Sequence, residues 1–532
     1  MAFKFANQGD KPLFTSNGIP FMFGTGDLTT LPDSDGEATF IQEDTDTDIN
    51  GSKFGRAIAV GFNRIVVGAP KYDTLNRKGA VFVYNLDGDF LTKIEESFVR
   101  DGGDFGDQVT LLNARNNIPQ GAGSLVNFFD KNRPISDFEG NQSQQPNHGD
   151  PVLLVSATND DGSSLSNGEG WAYKYKLNGE RYQSSDFDTM IPHGAGSIRN
   201  FRNVGAYDGY VVNGSHSALL FQGDTEPSFY NRLQIRQINL RTGSSSNGSG
   251  GTSDVTANLY PPGTGDGFYA NDAGYMTEAE FGGGGAGYNP SDEDTADAYG
   301  FIKDQYGFDL GGPECGLAIG YNKVYVGAPK ATGGGAVFVY DLDGRYQTMI
   351  KPQSTNQFTP VDFGTQIKLH AGRIIVSAPG TNGPSKTGAT NNGAFYIFDL
   401  NGRELKAVRP PPRANSNSAF ISGMKFGQRN QLAAGCGRIV IAGSDGGSGN
   451  PGIIHVYNID GEYLTTYTRP VGFNNVSAGV AVAIGSGRLV IGDYIKSGDL
   501  DGTSVEMGRI SIHKTPDVMT VFEYRDRKLG RA

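Results

Sequence analysis

The chain is poor in the residues that staple a small protein or arm a metal site. Of its 532 residues only two are cysteine, Cys315 and Cys436, too few for a disulfide framework and at a spacing that matches no zinc module. Both are expected to be small buried residues. Six histidines, His148, His193, His216, His370, His455 and His513, include no pair at metal-ligand spacing. No H-E-x-x-H stretch, G-x-S-x-G elbow or Walker loop is present, while abundant carboxylates leave room for a glycosidase pair. There is no apolar run of the roughly 18 residues that a membrane-spanning helix requires, and helical periodicity never persists beyond about two turns. Basic residues are outnumbered, 45 against 57 acidic, for a net charge of -12, which excludes a general nucleic-acid binder because phosphate binding needs a basic surface. The start, "MAFKFANQGDKPLF", has neither the basic opening nor the apolar run of a signal peptide, so synthesis in a cytosol is expected.

What the chain has is glycine, 78 residues and about twice the usual share, interleaved with short Val, Ile, Tyr and Phe runs. Alternation such as Ala80, Phe82 and Tyr84 against Val81 and Val83 reads as strand. The runs repeat. "RIVVGAP" at 64 to 70 returns as "PVLLVSAT" at 151, "KVYVGAP" at 323, "RIIVSAP" at 373, "RIVIAGS" at 438 and "RLVIGDY" at 488, with a degenerate copy, "GYVVNGS", at 209 followed by "RLQIRQINL" at 232. Each clear copy but the last leads, after glycine, into a second strand with an Asx-Gly turn, such as "VFVYNLDG" and "IHVYNID" plus Gly461. In those turns Asp87, Asp343 and Asp460 are expected to shape hairpins. Upstream, "KFG" at 53, "DFG" at 104, "DFG" at 362 and "KFG" at 425 open a first strand, Phe serving as an aromatic wedge beside closely passing backbone.

The implied unit is four short antiparallel strands in about 50 residues, the size of a propeller blade. Seven such units fit 38 to 524, giving an expected all-β, seven-bladed β-propeller. "TFIQEDTDTDINGSKFG" (39 to 55) matches "TMIKPQSTNQFTPVDFG" (348 to 364) in length, putting Ile41 where Ile350 sits. Residues 38 to 43 are therefore expected to complete the last blade and join the chain ends, with "DVMTVFEY" at 517 to 524 as the rival outer strand.

With literal FG and GAP in Phe54, Gly55, Gly68, Ala69 and Pro70, and GAP again at Gly327, Ala328 and Pro329, the chain resembles the FG-GAP repeat family, the propeller of integrin α heads and of many bacterial and phage surface proteins. The resemblance covers most of 38 to 524. In that family calcium often sits in a D-x-D-x-D-G loop between the first two strands, but here "VGFNR" at 60 and "IGYNK" at 319 leave no space for one. Displaced candidates are Asp44, Asp46 and Asp48 in "DTDTDING", and Asp292, Asp294 and Asp297 in "DEDTADAYG". Their alternating carboxylates could ligate calcium, the one cofactor envisaged, or simply form solvated acidic loops. Trp171, His455 and His513 are read as packing residues of the blades.

Outside the repeat lie an extended docking arm at 1 to 37, insertions at about 113 to 150 and 241 to 312, and a basic tail at 525 to 532. The arm carries Phe3, Phe5, Phe14, Phe21 and Phe23, aromatics with no place in a ring core. The second insertion carries Tyr260, Phe268, Tyr269, Tyr275, Phe281, Tyr288 and Tyr299, which suit an adaptable contact surface. By analogy with phage members of the family, the expected function is a virion structural protein of a tailed phage. It would be a tail, neck or fibre-associated propeller, not an enzyme, made in the host cytoplasm and present in many copies, binding other virion proteins and a host receptor or glycan. A bacterial surface adhesin and a host-glycan-degrading enzyme are the alternatives.

Overall fold

Glycine-bounded runs of β-branched and aromatic residues form strands, and every regular element among the described residues is one. The structure is a computed structural model. It describes residues 51–72, 76, 78–97, 99, 101–113, 151–157, 171–181, 316–329, 333–342, 346–353, 359–382, 390–411, 423–428, 430–443, 453–468, 480–493 and 508–515, and strands at 7–8, 11–12, 22–24, 39–42, 204–207, 210–213, 233–237, 254–259, 497–500, 503–506 and 518–520.

The strands assemble into six four-stranded antiparallel sheets, one three-stranded sheet and three two-stranded ribbons. Sheet 1 comprises Ala57–Gly61, Arg64–Ala69, Ala80–Tyr84 and Phe90–Ile94. Sheet 2 has Phe105–Asn113, Pro151–Ala157 and Trp171–Tyr175, and a single Tyr175 to Arg181 bridge stands where its expected fourth strand would begin. Sheet 3 is Val204–Tyr207, Tyr210–Asn213, Leu233–Gln237 and Asp254–Leu259. Sheet 4 runs from Leu317–Gly320 through Lys323–Ala328 and Ala336–Asp341 to Tyr346–Ile350. Sheet 5 is Ile367–His370, Arg373–Ala378, Ala394–Asp399 and Glu404–Val408. Sheet 6 is Leu432–Gly435, Arg438–Gly443, Ile453–Asn458 and Tyr463–Thr468. In sheet 7, Val480–Gly485, Arg488–Asp493 and Arg509–Lys514 are joined by a strand from the other end of the chain, Thr39–Gln42.

That last strand lies antiparallel to Arg509–Lys514 with Ile41 opposite Ile510. The position is equivalent to that of Ile350, which lies opposite Val337, so the alignment of Ile41 with Ile350 holds at the level of register. The rival, Val518–Thr520, does not join sheet 7. It pairs with Met22–Gly24 in a separate ribbon, Phe23 opposite Met519, so one short stretch of the N-terminal arm is tied to the C-terminal region. Within the insertion placed at 241 to 312, Asp254–Leu259 is the fourth strand of sheet 3, paired with Leu233–Gln237. The other insertion leaves and re-enters at the tip of a hairpin, where Asn113 faces Pro151.

Local chemistry explains the turns. In sheets 1, 4, 5, 6 and 7 both central residues between first and second strands have positive φ, as in Phe62 and Asn63, Tyr321 and Asn322, and Cys436 and Gly437, the requirement of a tight hairpin whose twist matches its strands. Between third and fourth strands the organising group is the Asx that ends the third strand. Asn85 Oδ1 accepts from the backbone N–H of Asp87 and of Asp89 at 2.9 and 2.8 Å, and Asn458 Oδ1 does the same for Asp460 and Glu462. Asp87 and Asp460 are thus left with their carboxylates to spend elsewhere.

Five pairs of sheets pack through one apolar layer each. Sheet 1 meets sheet 2 around Val81, Val83, Phe105 and Leu153, sheet 4 meets sheet 5 around Tyr325, Val339, Phe363 and Tyr396, and sheet 5 meets sheet 6 around Ile375, Phe395, Ile439 and Tyr457. Sheet 6 meets sheet 7 around Val440, Val456, Val482 and Leu489. Val204–Tyr207 of sheet 3 lies between Phe105–Asn113 and Leu317–Gly320. Sheet 7 in turn meets sheet 1, with Val490, Ile510 and Ile512 against Phe54, Ile65 and Val67.

The FG motif marks these seams. The residue before Phe is left-handed in all four copies, at Lys53, Asp104, Asp362 and Lys425, which turns the chain so that Phe enters the layer. There Phe54 meets Phe82 edge-on at 5.3 Å, Phe105 meets Tyr173 at 5.7 Å, and Phe363 meets Tyr396 at 5.4 Å. The GAP glycine is explained by the same seam. A Cβ on Gly68 would collide with the carbonyl oxygen of Gly106, and one on Gly327 with that of Gly364. In sheet 5 serine takes this place, and Ser377 Oγ donates to the Gly427 carbonyl at 2.7 Å.

Candidate binding site

Charged residues flank the FG turns of sheets 1 and 2, and the seam brings them together. Lys53 and Arg56 bracket the turn of sheet 1, closed by Arg56 N–H donating to the Lys53 carbonyl at 3.1 Å. Lys71, just after the GAP motif, donates its backbone N–H to the Ser52 carbonyl at 2.9 Å, which sets it beside Lys53. The opening of sheet 2 brings Asp104 and Asp107 to the same place. Arg56 Nε donates to Asp107 Oδ1 at 2.7 Å, and Lys71 pairs with Asp104.

The amide of Asn430, in the opening of sheet 6, ties this cluster to the rest of the molecule. Its Nδ2 donates to the Arg56 carbonyl at 2.9 Å, its Oδ1 accepts weakly from Gln108 Nε2 at 3.5 Å, and its own carbonyl accepts from Val482 N–H at 2.8 Å. Asn430 is left-handed, φ +61°, a conformation asparagine tolerates better than most residues. One side chain thus bridges the openings of sheets 1 and 2, with its backbone fixed on sheet 7.

Three cations and two carboxylates occupy the cluster. Asp107 holds Arg56 and Asp104 holds Lys71, while Lys53 forms no ion pair among the described residues. Burial first, then repulsion from Arg56 and Lys71, lowers the Lys53 ammonium below the ordinary lysine range. Burial is also the largest influence on Asp104, raising it above the usual carboxylate range against the pull of Lys71.

The residues singled out from the sequence fare differently. Asp44, Asp46, Asp48, Asp292, Asp294 and Asp297 lie outside the described residues, as do Tyr260, Phe268, Tyr269, Tyr275, Phe281, Tyr288 and Tyr299, and Phe3, Phe5, Phe14 and Phe21. Of Phe23 and Trp171 only the backbone is described. Among the described residues no group of three or more His, Cys, Asp or Glu could hold a metal. Cys436 is buried. His455 is a packing residue, edge-on to Phe426 at 5.5 Å, with Nδ1 2.6 Å from Thr466 Oγ1. His370 is buried and its Nε2 accepts from Gly437 N–H at 2.9 Å, bonding sheet 5 to sheet 6.

Asp87 and Asp460 shape turns as expected and also latch neighbouring sheets. Arg488 of sheet 7 reaches sheet 1, donating from Nε to the Leu86 carbonyl at 2.8 Å and from Nη2 to Asp87 Oδ1 at 2.9 Å. Arg373 of sheet 5 lies 3.5 Å from Asp460 of sheet 6, and Lys323 of sheet 4 donates to the Leu400 carbonyl of sheet 5 at 3.3 Å. All three cations open a second strand and reach the same turn one sheet on. The signal was present in the sequence as the basic residue beginning "RIVVGAP", "KVYVGAP", "RIIVSAP" and "RLVIGDY".

No family model and no curated protein matches the chain. Among solved structures, a prolyl endopeptidase aligns with TM-score 0.36 and 8% identity over 82% of this chain and 46% of its own, and Raptor of Chaetomium thermophilum with TM-score 0.37 and 11% identity over 90% of this chain and 29% of its own. The chain therefore spans less than half the length of either, and likenesses at this level carry no argument about fold or activity.

Proposed function

We propose that the chain is a seven-bladed β-propeller of the FG-GAP kind that serves as a structural protein of a tailed-phage virion. It is a tail, neck or fibre-associated component, carried in multiple copies, that binds other virion proteins and a host-surface receptor or glycan. The observation that carries the propeller reading is the order of contacts: sheets 1 to 7 each neighbour the next, and sheet 7 both neighbours sheet 1 and takes its outer strand from residues 39–42. Such an order is what a ring of blades produces, and pairing the chain ends covers the sheet edge that an open array would leave exposed.

The virion reading rests on the FG-GAP resemblance. Its support from the fold is that the recurring residues are spent on construction: FG on the seams, GAP on close backbone approach, Asx on turns, and basic residues on latches. Function on such a scaffold belongs to what the ring does not require, here the charged cluster at the seam of sheets 1 and 2. Mass spectrometry of purified particles tests the assignment. The chain should be a stoichiometric component, and its absence from particles that are otherwise complete would overturn it.

A further inference from the structure

We propose that the first strands of the seven sheets enclose a pocket in which the ammonium of Lys368 binds a small aliphatic carboxylate. These strands contact one another in a closed order. Ala57–Gly61 meets Phe105–Asn113, and Val204–Tyr207, Leu317–Gly320, Ile367–His370, Leu432–Gly435 and Val480–Gly485 follow in turn, the last returning to Ala57–Gly61. Glycine permits the close approach at the hairpin end. A Cβ on Gly435 would collide with the Ile484 carbonyl oxygen, and one on Gly485 with that of Val60, each at 2.6 Å.

Lys368 breaks the pattern of this circle. It lies opposite Ile375 in its hairpin, and the residues in the same register elsewhere are Ala59, Thr110, Ala206, Ala318, Ala433 and Ala483. One long cation thus shares a level with small residues, two positions of strand rise or about 7 Å in from the hairpin end. Lys368 is surrounded by protein, yet part of its side chain stays open to solvent, as expected on the wall of an internal space. It forms no hydrogen bond or ion pair among the described residues, and burial alone lowers its ammonium below the ordinary lysine range. The first strands contain a single acid, Asp107, which holds Arg56.

The surroundings select the ligand. At the level of Lys368 the other first strands offer alanine methyl groups and one hydroxyl, that of Thr110. A carboxylate meets the ammonium through a charge-assisted hydrogen bond and lays an apolar body against the methyl groups. Phosphate would bring further oxygens into a space with few donors, where each unanswered one is costly.

This inference rests on the ring of sheets proposed above. A covalent link between Thr39–Gln42 and Arg509–Lys514 tests that ring with no ligand, so the two can fail separately. The probe is butyrate, titrated calorimetrically into the purified full chain. It should bind saturably, with butanol and inorganic phosphate at least about tenfold weaker. Lys368→Met, similar in length and uncharged, should lose about tenfold or more of the butyrate affinity while staying folded. In the wild-type chain butyrate should also slow reductive methylation of Lys368 by formaldehyde and a borane, located by peptide mass spectrometry, more than that of any other lysine. That measurement decides if Lys368→Met does not fold. No saturable binding of butyrate, equal binding of butanol or phosphate, wild-type affinity in Lys368→Met, or methylation of Lys368 that butyrate leaves unchanged would each overturn the site.

Discussion

Arg488 joins the last sheet to the first through two acceptors of unequal worth. Asp87 is 73% exposed while the Arg488 side chain is 17% exposed, so the ion pair is screened by water and should contribute little, about 0 to 1 kcal/mol. The bond to the Leu86 carbonyl is a charge-assisted contact to an obligatory acceptor and should contribute about 1 to 2 kcal/mol. Urea unfolding should therefore show Asp87→Ala close to wild type and Arg488→Ala clearly destabilised. Equal effects would mean that the ion pair is the stabilising contact. Such latches were only half legible in the sequence: the basic residue and the turn could each be read within one repeat, but their partners lie in another repeat, 77 residues away for Lys323 and Leu400 and 401 for Arg488 and Asp87, a pairing that no single repeat contains.

His455 belongs to the same scale. Burial lowers it to about 4 from 6.5, so the folded chain resists the proton that the unfolded chain accepts. Its neutral form is at full advantage above pH 6.5, and stability is lost as pH falls from there towards 4, by roughly 3 kcal/mol for the whole interval. His455→Phe, which suits the ring contacts with Phe426 and Tyr457, should flatten that part of the stability profile. An unchanged acid slope would show that other groups are responsible. The position was read correctly as packing because it interrupts an apolar strand pattern. The Lys53 cluster was not foreseen, since its carboxylates come from the next repeat and Asn430 from far along the chain.

At the level of elements, repetition made the strands legible wherever the repeat was intact. It failed where the repeat was interrupted. Asp254–Leu259 sits amid Gly and Ser and carries no GAP or Asx-Gly signal, so its membership of sheet 3 came only from its pairing with Leu233–Gln237. The consequence is a directional prediction. Replacing 245–259 with a Gly/Ser bridge should destabilise the chain by several kcal/mol, because a whole edge strand is removed along with the backbone pairing it supplies. An equally long replacement within 265–310, which the sequence marks as insertion outside the repeat, should leave the melting temperature within about 2 °C of wild type. If the two replacements melt alike, the fourth strand of sheet 3 is wrongly placed. Deleting residues 1–30 leaves Thr39–Gln42 intact, whereas deleting 1–45 removes it, so only the longer truncation should lower stability markedly.

For the whole molecule, the reading stands or falls on whether the two ends of the chain meet. Sheets that merely follow one another need no contact between residues 39–42 and 509–514, whereas a ring held by its first and last strands requires it. Ile41 and Ile510 face each other directly, and opposed residues of an antiparallel pair lie within reach of a disulfide. The direct measurement uses Ile41→Cys with Ile510→Cys, Cys315 and Cys436 having been replaced by Ala, oxidised and run on a non-reducing gel. The account predicts an intramolecular crosslink in the native monomer that raises the melting temperature, since it closes a loop of nearly the whole chain. A native protein that forms no crosslink, or forms one only between chains, would contradict it.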